Sequence, residues 1–225
     1  MRNGEITGRE RLLNSINHRS GPLTMDLGGT VVSGVHVSVV AALRDFYGLP
    51  TIPVKVIEPY QMLGEVDSEL KAVIGADIES VLGPATMFGF RNEGWKEWQT
   101  PWDQDVLVPA DFQVDKAGSN YQIYPKGDRS AKPSGRMPGS GYYFDSIIRQ
   151  DHFDENKLEP ADNLQEFDIL DGAAIDHYAS EAMRARATGK GVTATMPGTG
   201  LGDIALVPGP FLTDPKGIRD VTEWY

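Results

Sequence analysis

The sequence predicts an α/β fold: about three βα units forming the N-terminal part of a (β/α)8 barrel, with an inserted antiparallel β-ribbon. Three observations predict it. The stretch PLTMDLGGTVVSGVHVSVVAALRDFYGL, residues 22–49, reads as a short apolar strand, a glycine turn and a helix. Two further apolar runs, ADIESVLG at 76–83 and GVTATM at 191–196, alternate with helical patterns, as the strands of a parallel sheet do. Residues 94–144 are rich in Gly and Pro and carry Trp95, Trp98 and Trp102. Alternating runs such as DVLV and NYQIYP lie there, separated by turn signals at 116–119 and 126–128. That pattern predicts a ribbon over residues 94–145.

Thr7-Gly8-Arg9-Glu10 is a capping box, and Leu12, Leu13 and Ile16 give the helix behind it one apolar face, so residues 8–18 are predicted helical. Pro22 stops it, and Leu23–Leu27 reads as a buried strand. Val35, Val39, Leu43 and Phe46 recur at helical spacing up to a stop at Gly48. Residues 56–75 read as helical in two pieces, VIEPYQMLGEV and DSELKAVIG, the second capped by Asp67 or Ser68. The longest helix pattern opens at Asp162-Asn163 and ends near Gly189. Asp214-Pro215 is a helix start, a cap followed by proline at the first helical position. Tyr225 follows soon after, and three parallel strands alone leave an open sheet edge. The 225 residues are therefore expected to be the N-terminal part of one barrel domain that continues further, a whole barrel taking about 250 residues.

Lys and Arg number 21 against 32 Asp and Glu, a net charge of −11. That balance argues against nucleic acid and anionic membrane surfaces as partners, which need clustered cations. Without cysteine the chain makes no disulfide and offers no thiolate to a metal. The polar N-terminus carries no apolar signal region, and no apolar run approaches the ~20 residues of a membrane helix. A cytoplasmic protein is expected.

GRERLLNSINHR, MDLGGTVVSGVHVSVVAALRDFYGL, VIEPYQMLGEVDSELKAVIGADIESV, VPADF, YPKGDRSAKPSGRMPGSGYYFDSII and GDIALVPGPFLTDPKGIRDVTEWY resemble uroporphyrinogen-decarboxylase-like proteins, over essentially the whole chain. The branch they most resemble is related to corrinoid- and coenzyme-M-type methyltransferases. The resemblance implies a (β/α)8 barrel with its pocket at the C-terminal ends of the strands, and methyl transfer involving a corrinoid protein or a thiol acceptor. It implies a zinc ion and a corrinoid for the full-length protein, held by residues beyond this chain and not within it. A small-molecule methyl donor or a tetrapyrrole would be the ligand, and a homodimer is compatible with it. Two departures count against a decarboxylase of porphyrin biosynthesis, the first alternative. The family's arginine-containing motif after the first strand is replaced by DLGGTVVSG, and the aspartate after its second strand is missing from GPATMFG. A non-catalytic binding subunit is the second alternative.

The candidate catalytic residues are Asp26 and His36. Asp26 ends the first predicted strand, where a carboxylate either faces a pocket as acid, base or hydrogen-bond acceptor, or caps the turn by accepting from the amides of Gly28 and Gly29. Those two glycines allow close backbone approach to a substrate or simply make a tight turn. His36, at the start of the next helix, either faces the pocket or stays on the helix surface. Tyr60 and Gln61, which the resemblance puts near the barrel mouth, either touch substrate or pack. Thr199 and Asp203, in the glycine-rich loop after the third strand, complete the substrate-binding candidates.

Overall fold

The computed structural model describes residues 6–150, 154–167, 169–196 and 207–223. In chain order its elements are α1 (Gly8–Ile16), α2 (Val37–Phe46), β1 (Val54–Glu58), β2 (Leu63–Gly64), α3 (Ser68–Ile74), β3 (Ile78–Val81), β4 (Lys96–Gln99), β5 (Asp105–Val108), β6 (Val114–Ala117), β7 (Asn120–Ile123), β8 (Gly135–Pro138), β9 (Asp145–Ser146), α4 (Gly172–Ala187) and β10 (Gly191–Ala194). This is not the expected barrel. Among the described residues the fold is mixed α/β, with four α-helices and several small sheets, antiparallel ones included, and no (β/α)8 pattern. The chain divides into two compact units. One is drawn from Met1–Lys55, Leu63–Pro84 and Asp171–Met196, the other from Val56–Met62, Ala85–Leu170 and Pro197–Tyr225.

The first unit is built on one parallel pair, β3 with β10, in register from Gly191 opposite Ile78 to Ala194 opposite Val81. α1 and α4 pack against this pair. The capping box starts α1 as expected: Glu10 N–H donates to Thr7 Oγ1 (3.2 Å) and Thr7 N–H donates to Glu10 Oε2 (2.6 Å). α2 ends at Tyr47 with Gly48 left-handed behind it (φ 66°). Asp67 caps α3 by accepting from Glu69 and Leu70 N–H, and Gly75 (φ 74°) ends it. Val37, Val40, Leu63, Leu70, Ile78 and Val81 form the buried core here. Arg44 of α2 is also buried. Its Nη1 donates to Asp67 Oδ2 (2.5 Å), its Nη2 to Glu69 Oε2 (2.9 Å), and Nε and Nη2 reach the Pro50 carbonyl. One side chain thus joins α2 to the cap of α3 and to the chain leaving α2.

Leu23–Leu27 forms no strand. Leu23 is 88% exposed, and the polar groups of Met25 are taken by a residue far along the chain: its N–H donates to the Asp77 carboxylate (2.9 Å), and its carbonyl accepts from Asp77 N–H (2.8 Å). Residues 56–66 are β1, a turn and β2 instead of a helix. Pro59 supplies no amide proton and biases Glu58 to extended backbone, and Met62 adopts φ 51°. α4 begins after Asp171, which accepts from Ala174 N–H (2.7 Å), while Asp162-Asn163 sit in a 3₁₀ segment, Pro160–Leu164. No helix starts at Asp214-Pro215. The Lys216 and Ile218 amides donate to Gln165 and Asn163 side chains, and Gly217 between them is left-handed (φ 74°).

The second unit contains no α-helix among its described residues. Val56–Glu58 of β1 lies beside β5, which pairs antiparallel with β4. β6, β7, β8 and β9 form an antiparallel sheet in that order. Residues 94–145 do not form one inserted ribbon: their antiparallel strands are divided between two sheets, β4 and β5 in one and β6–β9 in the other. Phe88 is fully buried at the centre of an aromatic cluster, its ring centroid 6.2 Å from Phe90 and 6.1 Å from both Phe144 and Tyr60. Gly135 makes room for it, since a Cβ there would stand 2.8 Å from the Phe88 ring. Among the described residues no helix is long and apolar enough to cross a membrane.

Candidate functional site

The chemically distinctive group is Glu58, the last residue of β1 and only 5% exposed. The tight turn Pro59–Met62, closed by Met62 N–H to the Pro59 carbonyl (3.2 Å), folds the Tyr60 amide back onto it. Oε1 accepts from Tyr60 N–H at 3.1 Å, and Oε2 accepts from Met87 N–H at 3.0 Å. The segment bringing Met87 is fixed by Phe90 N–H to Thr86 Oγ1 and by Asn92 Nδ2 to the Ile57 carbonyl. Tyr60, one of the two donors, and Phe88, next in sequence to the other, carry rings of the aromatic cluster, 6.1 Å apart and tilted by 37°.

Two effects compete at this carboxyl. Burial disfavours the charged form, while the two amides favour it. Burial prevails and pushes the pKa up to about 7. Among the described residues no lysine or arginine donates to either oxygen; both partners are backbone amides. A buried carboxyl with its pKa pushed up to about 7 is suited to take up and give up a proton near neutral pH, as a general acid or base must.

Asp26, Gly28 and Gly29 share one turn, in which Asp26 Oδ1 accepts from Gly29 N–H (3.0 Å). Gly28 is left-handed (φ 73°), and the Gly29 carbonyl accepts from Thr193 Oγ1 of β10 (2.8 Å). A Cβ on Gly29 would stand 2.3 Å from Asp26 Oδ1 and 2.5 Å from Ile78 Cγ2. Gly29→Ala is therefore expected to cost about 1–3 kcal/mol, the range of overpacking in a tight site. Urea unfolding measures it; an unmoved midpoint would show that the turn yields freely.

His36 is the N-cap of α2. Its Nδ1 accepts from Ser38 N–H (3.2 Å) and lies 2.7 Å from Ser38 Oγ. Accepting at Nδ1 puts the proton of the neutral ring on Nε2. Tyr60 and Gln61 lie in the turn after β1, not in a helix; Tyr60 supplies an amide to Glu58, and Gln61 is exposed. Thr199 and Asp203 lie outside the described residues. Glu58 itself escapes the sequence reading. Its signal is a carboxylate closing the apolar run VKVIE just before a proline, the same kind of signal that singles out Asp26.

No group of three or more His, Cys, Asp or Glu side chains among the described residues is arranged to hold a metal ion. No protein-family model matches the chain, and neither the curated proteins nor the solved structures contain a match.

Proposed function

We propose that this chain serves methyl transfer to a small thiol in the cytoplasm, with Glu58 as the group that accepts the thiol proton. The observation that carries the reading is the buried carboxyl of Glu58, bound by two backbone amides with its pKa near neutrality. The resemblance to uroporphyrinogen-decarboxylase-like methyltransferases supplies the reaction class, and the carboxyl supplies a proton acceptor suited to it.

In the proposed step the thiol sulfur forms a bond to the methyl carbon. The bond between that carbon and the donor's leaving atom breaks, and the leaving atom keeps the electron pair. The S–H proton passes to the Glu58 carboxylate and then to solvent. A carboxyl of ordinary pKa would be too weak a base for a thiol, and raising it toward neutrality narrows the mismatch.

Methyl transfer from methylcobalamin to a panel of small thiols tests the reading across pH 5 to 9. The expected result is a rate that rises with pH through about 7 in wild type, and a fall of about 10²–10⁴ in Glu58→Gln. A Glu58→Gln variant as fast as wild type overturns the assignment. CO2 release from a substrate acid, with no methyl transfer, overturns the reaction class in favour of decarboxylation.

A further inference from the structure

We propose that Arg149 and Gln150, just after β9, form a binding site for a small oxyanion, a carboxylate or a phosphate group. Arg149 is 6% exposed, yet among the described residues no carboxylate bonds it. Its Nη1 donates to the Leu212 carbonyl and its Nη2 to the Gly209 carbonyl, both at 2.5 Å. Those acceptors are neutral, so they satisfy protons without cancelling charge. Arg219, equally buried, bonds Glu166 Oε1 and leaves Glu166 Oε2 buried without a partner.

Two donors on consecutive residues are left over. Arg149 Nε and Gln150 Nε2 are both buried and both lack a hydrogen-bond partner. The Gln150 amide is oriented by its own oxygen, which accepts from Arg149 N–H at 3.3 Å. An unsatisfied buried donor costs about 1–3 kcal/mol, more for a charged one. A group that only accepts and carries negative charge removes both penalties at once, and an oxyanion is such a group.

The electrostatics agree with the geometry. Burial, helped by the Arg219 charge, pulls Arg149 down to about 10, against the pull of Asp214. A bound anion would reverse that. Nε is closed from solvent in this structure, so the Gly209–Leu212 turn has to yield for the anion to enter. The inference does not depend on the reading of Glu58.

Nitrogen-15 NMR of the arginine Nε–Hε signals tests it on the full chain. Inorganic phosphate and succinate are titrated separately, with sodium chloride at matched ionic strength as control. The Arg149 signal, identified by its loss in Arg149→Lys, is expected to move saturably with one salt or both, and the responding salt names the ligand class. Gln150→Ala, which leaves the two carbonyl bonds of Arg149 in place, is expected to weaken that titration about tenfold, the worth of one hydrogen bond to a charged group. No saturable movement with either salt, an equal movement with chloride, or an unchanged titration in Gln150→Ala overturns the proposal.

Discussion

Wild-type protein is expected to lose about 3 kcal/mol of stability as pH rises from 4.5 to above 7, and Glu58→Gln is expected to remove that slope. The sign follows from where the proton sits. The unfolded carboxyl releases its proton near 4.5, while the folded one holds it until about 7. Between those values the folded state binds more protons, so each pH unit upward costs it about 1.4 kcal/mol. The stability is fully present below 4.5 and gone once the folded group has ionised.

Glu10, Asp128 and Asp154 have pKa values lowered by their hydrogen bonds and act in the acid window below their ordinary values, so they do not obscure the slope. Glutamine keeps the volume of Glu58 but turns one accepting oxygen into a donor facing a backbone N–H. The variant should therefore be the less stable protein at pH 5, and the gap should narrow by pH 8. Urea unfolding at the two pH values measures both; parallel slopes in the two proteins would show that Glu58 does not hold its proton in the folded state.

Arg44→Ala should destabilise the first unit by about 2–5 kcal/mol, the range for truncating a long, fully buried side chain to alanine, since the carboxylates left behind still reach solvent. The loss has identifiable parts. Asp67 Oδ2, Glu69 Oε2 and the Pro50 carbonyl all lose a donor, and a fully buried long side chain leaves a void in the fold. Asp67→Asn separates charge from capping. Asparagine still caps α3 through its oxygen, so this variant should cost less than Arg44→Ala. Denaturant midpoints rank the two; equal costs would mean that Arg44 acts through its pairing with Asp67 alone and that its packing adds nothing.

Features encoded within a few neighbouring residues are legible in the sequence. Thr7 with Glu10, Asp67 before Ser68, and the stop at Gly48 each involve a cap or a left-handed residue beside its own helix, and the structure contains them. Features that depend on a distant partner are not. Leu23–Leu27 has strand composition, but Asp77 takes the backbone groups of Met25, and no sequence pattern announces that. VIEPYQML has residues at helical spacing, and only Pro59 argues otherwise. Alternating strands and helices suggest a barrel, yet they do not say which strand lies beside which. Glu58 illustrates the limit at the site itself. Its position is visible, but its altered acidity comes from burial and from an amide at Met87, brought by a separate segment.

The pairing of β3 with β10 sets a timetable for biosynthesis. Ile78–Val81 leaves the ribosome on the order of ten seconds before Gly191–Ala194 at ordinary elongation rates. Through that interval the earlier strand has no mate, and the whole β4–β9 stretch is made in between. Nascent chains arrested before Gly191 should thus recruit holdase chaperones more strongly than chains arrested after Ala194.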